Sequence, residues 1–311
     1  MAEKFIRITK GLIKAILPIP RLHKPTTGGT DQSHYCYSTW LRHLVTIHTY
    51  RQVIPHTVVE IGPGDSLGTG IAALLTGTEQ YIALDVIKYG DATNNVKIFD
   101  ELVLLFRKRT PMAGDTVYPN LIPKLTDHRF PKNILTDELL DRSMHDARLE
   151  LIRKELQFPS LSNKFIRHFV PWQAADVAKE SADLVISQSV LQYTKLEEVY
   201  DTMHGWLKPG GLMSHVIDFS SLGISNTWNG HWAYTAWEWR LFKFGKKILL
   251  NRSYLGLHKE YIRQFSFELL TVMSYKNENG LPVDQLAKEF KHLDEEDIKT
   301  YAAYILAAKR S

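Results

Sequence analysis

Short apolar runs separated by stretches of helical periodicity organise most of this chain. Residues 56–61 (HTVVEI), 81–85 (YIALD), 165–170 (FIRHFV), 183–188 (DLVISQ), 212–219, 268–274 and 300–309 read as strands. Several are apolar at consecutive positions, the mark of a strand covered on both faces. Between them, apolar residues recur at three- and four-residue spacing over 37–50, 68–75, 96–109, 136–157, 196–206 and 254–265, which predicts helices. Thr136, followed by Asp137 and Glu138, opens the fourth of these as an N-cap. Strands alternating with helices predict an α/β fold with a mostly parallel sheet and helices on both faces. The connection before the seventh strand holds only short helical pieces such as 284–290, which points to an antiparallel return.

About 80 residues separate Asp85 from the third strand, far more than one crossover helix needs, so a helical insertion is expected over about 90–163. A second, aromatic-rich insertion is expected over 220–253. Residues 1–55 read as a helical extension and 56–311 as the main domain, with no internal repeat and no long linker. Within the extension, residues 4–17 (KFIRITKGLIKAIL) place Lys4, Arg7, Lys10 and Lys14 in one sector of a helical wheel and centre Phe5, Ile8, Leu12 and Ile16 on the other. That pattern suits a helix packed on the domain or one lying on an anionic membrane surface, and both readings stay open.

Composition narrows the field. A net charge of +4 and a pI near 8.9 fall short of the concentrated basic field of nucleic-acid binders, so no nucleic-acid partner is expected. The single Cys36 excludes an internal disulfide and a cysteine-based metal cluster. No metal is expected, and a cytoplasmic setting follows, at the membrane's cytoplasmic face if residues 4–17 meet lipid.

The strongest chemical signal is VVEIGPGDSLG at residues 58–68, where a buried strand turns sharply into a helix through glycines. Such a turn lets a ligand approach backbone that carries no Cβ. The dinucleotide fingerprint wants glycine at its first, third and sixth positions, and the sixth position from Gly62 is Leu67. Asp85, about 25 residues after Glu60, ends the second strand where an acid holds ribose hydroxyls in several cofactor classes. Taken in order, the glycine loop with Glu60, Asp85, DLVISQ and WLKPGG before strand 5 resemble class I S-adenosylmethionine-dependent methyltransferases. GPGDSLG, NGHWAY and the NR at Asn251 are similar to the branch associated with bacterial glycan or small-molecule biosynthesis.

The resemblance implies a Rossmann-like seven-stranded sheet, S-adenosyl-L-methionine as cofactor, and a small-molecule or sugar-like acceptor, with O-methylation expected. It implies cofactor contacts at Glu60, Gly62, Gly64, Asp85, Gln188 and Trp172. Glu60 would orient the loop or the cofactor's ammonium, and Asp85 would accept from the ribose diol. Asp65 and Ser66 read as helix-capping residues. A hydroxyl acceptor needs a base. His231, in NTWNGHWAY, and Asp218, at the end of strand 5, are the candidates, with His215 sent to the opposite face by strand alternation. Trp228, Trp232, Tyr234, Trp237 and Trp239 form a packed aromatic subdomain or a wall for a sugar ring. Lys243, Lys246, Lys247, Arg252 and Arg240 meet an anion or a solvated face. Alternatives to a methyltransferase are another Rossmann-type enzyme of the nicotinamide class and a catalytically silent cofactor-binding protein.

Overall fold

The computed structural model describes residues 29–244 and 250–310. Its strands are β1 (Thr57–Ile61), β2 (Gln80–Leu84), β3 (Ile166–Phe169), β4 (Ala182–Gln188), β5 (Leu207–Asp218), β6 (Phe267–Lys276) and β7 (Thr300–Lys309). They form one sheet in the order β3-β2-β1-β4-β5-β7-β6. The pairs from β3 through β5 are parallel, and β7 runs antiparallel to both β5 and β6. The connection from β6 to β7 carries two 3₁₀ turns and the five-residue α9 (Glu295–Lys299), none of them a crossover helix.

The remaining helices are α1 (Ser33–Tyr50), α2 (Gly68–Leu75), α3 (Ala92–Arg107), α4 (Asp137–Ser143), α5 (Asp146–Gln157), α6 (Leu196–Trp206), α7 (Ala236–Lys243) and α8 (Leu255–Gln264). Strand alternation divides the sheet's side chains between two cores. Val58, Leu184, Ile186, Leu212, Val216 and Tyr304 face α1 to α5. Val59, Ile61, Val185, Met213, Ile217 and Ile305 face α6 and α8. A smaller aromatic cluster of Tyr234, Trp239 and Phe242 lies in the second insertion.

Two expectations are corrected. The single helix expected over 136–157 is two, because His145 turns its side chain onto the Arg148 N–H and caps a second start just after Met144. The turn expected at LKPGG is the first part of β5. Leu207 already pairs with Ala182, Gly210 takes a φ of +76°, and the register slips before Leu184 meets Leu212. Residues 4–17, with the membrane contact expected of them, and Lys246 and Lys247 lie outside the described residues. No described helix is long and apolar enough to cross a membrane.

Candidate functional site

The strand order reverses between β1 and β4, and in open α/β sheets the crevice at the carboxyl ends of such a pair is where ligands bind. The glycine loop lies there. Gly62 and Gly64 have φ of +72° and +79°, conformations that side chains disfavour. A Cβ on Gly62 would come within 2.6 Å of Val190 Cγ2, just beyond β4. The Asp65 N–H donates to Thr30 Oγ1 at 2.8 Å, and the Ser66 hydroxyl donates to the Thr30 carbonyl, so the segment before α1 buttresses the loop.

Amides at the start of α2 are spent inside the protein. The Leu67 N–H donates to Asn95 Oδ1 at 2.9 Å and the Gly68 N–H to Ser66 Oγ at 3.0 Å. The Gly70 backbone N–H faces Glu60 and favours its charged form. Glu60 is buried and accepts from Tyr81 Oη at 2.5 Å. Burial pushes its carboxyl up to about 7, against the pull of these donors.

Asp85 follows β2 directly. It accepts from the Val86 N–H at 2.7 Å and the Ile87 N–H at 3.3 Å, and the nearby Gly64 N–H also favours its charged form. Burial raises its pKa and these backbone donors oppose the rise. The Asp85 carboxylate and the Gly64 backbone are therefore neighbours across the mouth of β1 and β2. Trp172, past β3, donates its backbone N–H to the Asp85 carbonyl at 3.2 Å. Its ring meets the edge of Trp206 at 5.5 Å, part of the second core.

At the ends of β4 and β5, Gln188 pairs in register with Val216, so Asp218 lies two residues further on and on the same sheet face as Gln188. Ser189 holds a φ of +55°, a strained value for a non-glycine residue. Asp218 accepts from the Ser220 N–H at 2.8 Å. It adjoins Tyr193, whose hydroxyl is raised by burial and then by the charge of Asp218. Asn251 anchors the 3₁₀ turn after β4: its amide donates to the Leu191 and Thr194 carbonyls at 2.8 and 2.9 Å.

His231 lies in the connection that follows β5. It is 1% exposed in a 3₁₀ turn, its ring centroid 5.1 Å from that of Trp232, and its Nδ1 has no partner. Burial, then the nearby Arg252 charge, lowers its pKa to about 3, too weak for a base at neutral pH. His215 is fully buried with Nδ1 2.8 Å from Ser187 Oγ. The aromatic crowd is mostly packed: Trp232 and Tyr234 are buried and Trp239 stacks on Phe242, whereas Trp237 is exposed. Arg252, expected from sequence to meet an anion or to lie on a solvated face, is half-buried between aromatic rings. Its guanidinium stands 4.9 Å from the Trp239 ring centre and 4.8 Å from that of Phe290, and it donates to the Tyr234 carbonyl at 2.6 Å.

Sequence reading missed Tyr35 and His43 of α1, which reach Gln188. The available signal was a run of polar residues, Ser38, Thr39, Arg42, His43 and Thr46, on a helix otherwise rich in aromatic and aliphatic side chains; all five are buried.

No protein-family model and no curated protein matches the chain. Solved structures similar to it include an S-adenosylmethionine-dependent methyltransferase from Mesorhizobium loti, 13% identical, covering 90% of this chain and 100% of its own, with a TM-score of 0.42. Phosphoethanolamine N-methyltransferase 2 of Haemonchus contortus, in complex with S-adenosyl-L-methionine, is 13% identical, covers 90% of this chain and 57% of its own, and has a TM-score of 0.43. An S-adenosylmethionine-dependent methyltransferase from Methanosarcina mazei is 12% identical, covering 85% and 97%, with a TM-score of 0.39.

Proposed function

We propose that this chain is a class I S-adenosylmethionine-dependent methyltransferase acting on a small-molecule or sugar-like acceptor. The observation that carries the reading is the fate of the amides at the start of α2. A dinucleotide needs free N–H groups there for its pyrophosphate. Here Asn95 Oδ1 and Ser66 Oγ already occupy those of Leu67 and Gly68. The loop thus suits a cofactor with ribose and amino-acid parts and no phosphate, while Asp85 remains beside Gly64 to accept from a diol.

When bound, the cofactor supplies a methyl carbon already activated by a sulfonium, so the protein contributes chiefly positioning. Gly62 and Gly64 admit the ligand to the backbone, and Asp85 fixes the ribose. Gln188 bounds the crevice on the β4 side, and Trp172 closes its β3 side. Asp218 is the acceptor-side residue: its carboxylate accepts the hydrogen bond of an acceptor hydroxyl, orients that oxygen for in-line attack and takes its proton as the oxygen–methyl bond forms, which is O-methylation.

Titration calorimetry with S-adenosylhomocysteine and with NAD tests the cofactor. Binding of the former alone is expected, and Asp85→Ala weakens it by about tenfold or more. NAD binding without S-adenosylhomocysteine binding refutes the reading. Release of S-adenosylhomocysteine from labelled cofactor in the presence of cell extract separates an enzyme from a silent binder.

A further inference from the structure

Behind the site, a hydrogen-bonded row crosses the first core through side chains of four elements. Tyr304 Oη on β7 lies 2.7 Å from Ser214 Oγ on β5, which lies 2.7 Å from His43 Nδ1 on α1. His43 Nε2 lies 3.3 Å from Gln188 Oε1 at the end of β4. Tyr304 and Ser214 are fully buried and His43 is 1% exposed. Tyr35, two turns before His43 on α1, lies beside Gln188, whose side chain favours the charged form of the phenol.

We propose that His43 is a positioning residue which, as its Nε2–H tautomer, fixes the Gln188 amide with its oxygen inward and its NH₂ on Tyr35, so that Tyr35 offers its own proton to the bound ligand. The proposal deepens the methyl-donor reading of this site and rests on it.

The argument is one of hydrogen counting. Burial lowers the His43 pKa to about 4, so the ring is neutral, with one N–H and one lone pair. An amide oxygen only accepts, so the nitrogen facing Gln188 Oε1 carries the proton. Nδ1 then accepts from the Ser214 hydroxyl, whose oxygen accepts from Tyr304. Each proton along the row points from β7 toward β4. With its oxygen engaged by His43, Gln188 donates its NH₂ to the Tyr35 oxygen. Burial pushes Tyr35 up to about 12, so its hydroxyl remains a donor at physiological pH. A proton placed in the middle of the sheet thereby sets which end of the amide faces the crevice.

The reverse arrangement, with the proton on Nδ1 and the amide turned over, is chemically distinct and can be observed. Long-range ¹H–¹⁵N correlation of the His43 ring in the full-length labelled protein, assigned by its loss in His43→Gln, is expected to show the Nε2–H tautomer; an Nδ1–H tautomer overturns the proposal. Ser214→Ala removes the donor to Nδ1 and touches none of the crevice. It is expected to weaken S-adenosylhomocysteine binding about fivefold, with Ser214→Thr, which keeps the hydroxyl, restoring affinity. Unchanged affinity in folded Ser214→Ala also overturns it. Should that variant not fold, the tautomer of the native protein decides. If the native protein binds no S-adenosylhomocysteine, the methyl-donor reading fails separately, while the tautomer still decides the polarity of the row.

Discussion

Replacing Glu60 with glutamine tests whether a buried carboxyl under the glycine loop makes folding depend on pH. Burial raises the Glu60 pKa from its ordinary 4.5 to about 7 in the folded protein. The folded state therefore holds this proton more tightly than the unfolded chain. Its stabilising effect is fully present below about pH 4.5 and is lost as pH rises through about 7. At about 1.4 kcal/mol for each pH unit, the rise amounts to about 3 kcal/mol. Glutamine keeps an oxygen for the Tyr81 hydroxyl but turns an NH₂ toward a donor, the Gly70 N–H, at a pH-independent cost of about 1–2 kcal/mol. Glu60→Gln is thus expected to be the less stable protein at pH 5 and the more stable one at pH 8.5, with the curves crossing between. Urea unfolding followed by circular dichroism at several pH values measures both proteins; their difference cancels the other titrating groups. A free-energy difference that stays constant from pH 5 to 8.5 refutes the reasoning.

Two further substitutions probe packing near the site. A Cβ on Gly70 would lie 2.0 Å from the Tyr81 ring, which the Glu60 hydrogen bond holds in place. Gly70→Ala should therefore cost about 3 kcal/mol in a denaturant melt, partly recovered by Tyr81→Leu in the same chain, and a wild-type melt would count against the geometry. Arg252→Lys keeps the charge but cannot lie between Trp239 and Phe290 while bonding the Tyr234 carbonyl. A loss of about 2 kcal/mol is expected in the same assay, and undiminished stability would show that the enclosure contributes nothing.

The strands and the loop were readable because their signals are local. Apolar runs such as YIALD are covered on both faces, Gly62 and Gly64 adopt backbone that few other residues take, and the missing crossover helix before β7 forces its antiparallel return. What escaped depends on partners far along the chain. His145 looks like a mid-helix residue until its ring caps α5, and LKPGG looks like a turn until Ala182 pairs with Leu207. His231 reads as a base from its side chain alone, but burial and then the Arg252 charge, neither visible in the sequence, lower its pKa. On α1, the two terminal nitrogens of the buried Arg42 find the Pro123 and Ala113 carbonyls and Asp115, groups more than 70 residues away that helical periodicity does not reveal.

The place of β7 between β5 and β6 bears on how the protein is made. Among the described strands, β6 touches the sheet only through β7, although it precedes β7 in the chain. Until β7 inserts, the edge of β5 over residues 212–218 stays open, and β6 waits unpaired through the whole intervening connection. Tyr304 also arrives on β7, so the row that ends at Gln188 is completed only at this step. Attachment of β6 to the sheet and completion of the row to Gln188 therefore both depend on β7, without which β5 presents an open strand edge.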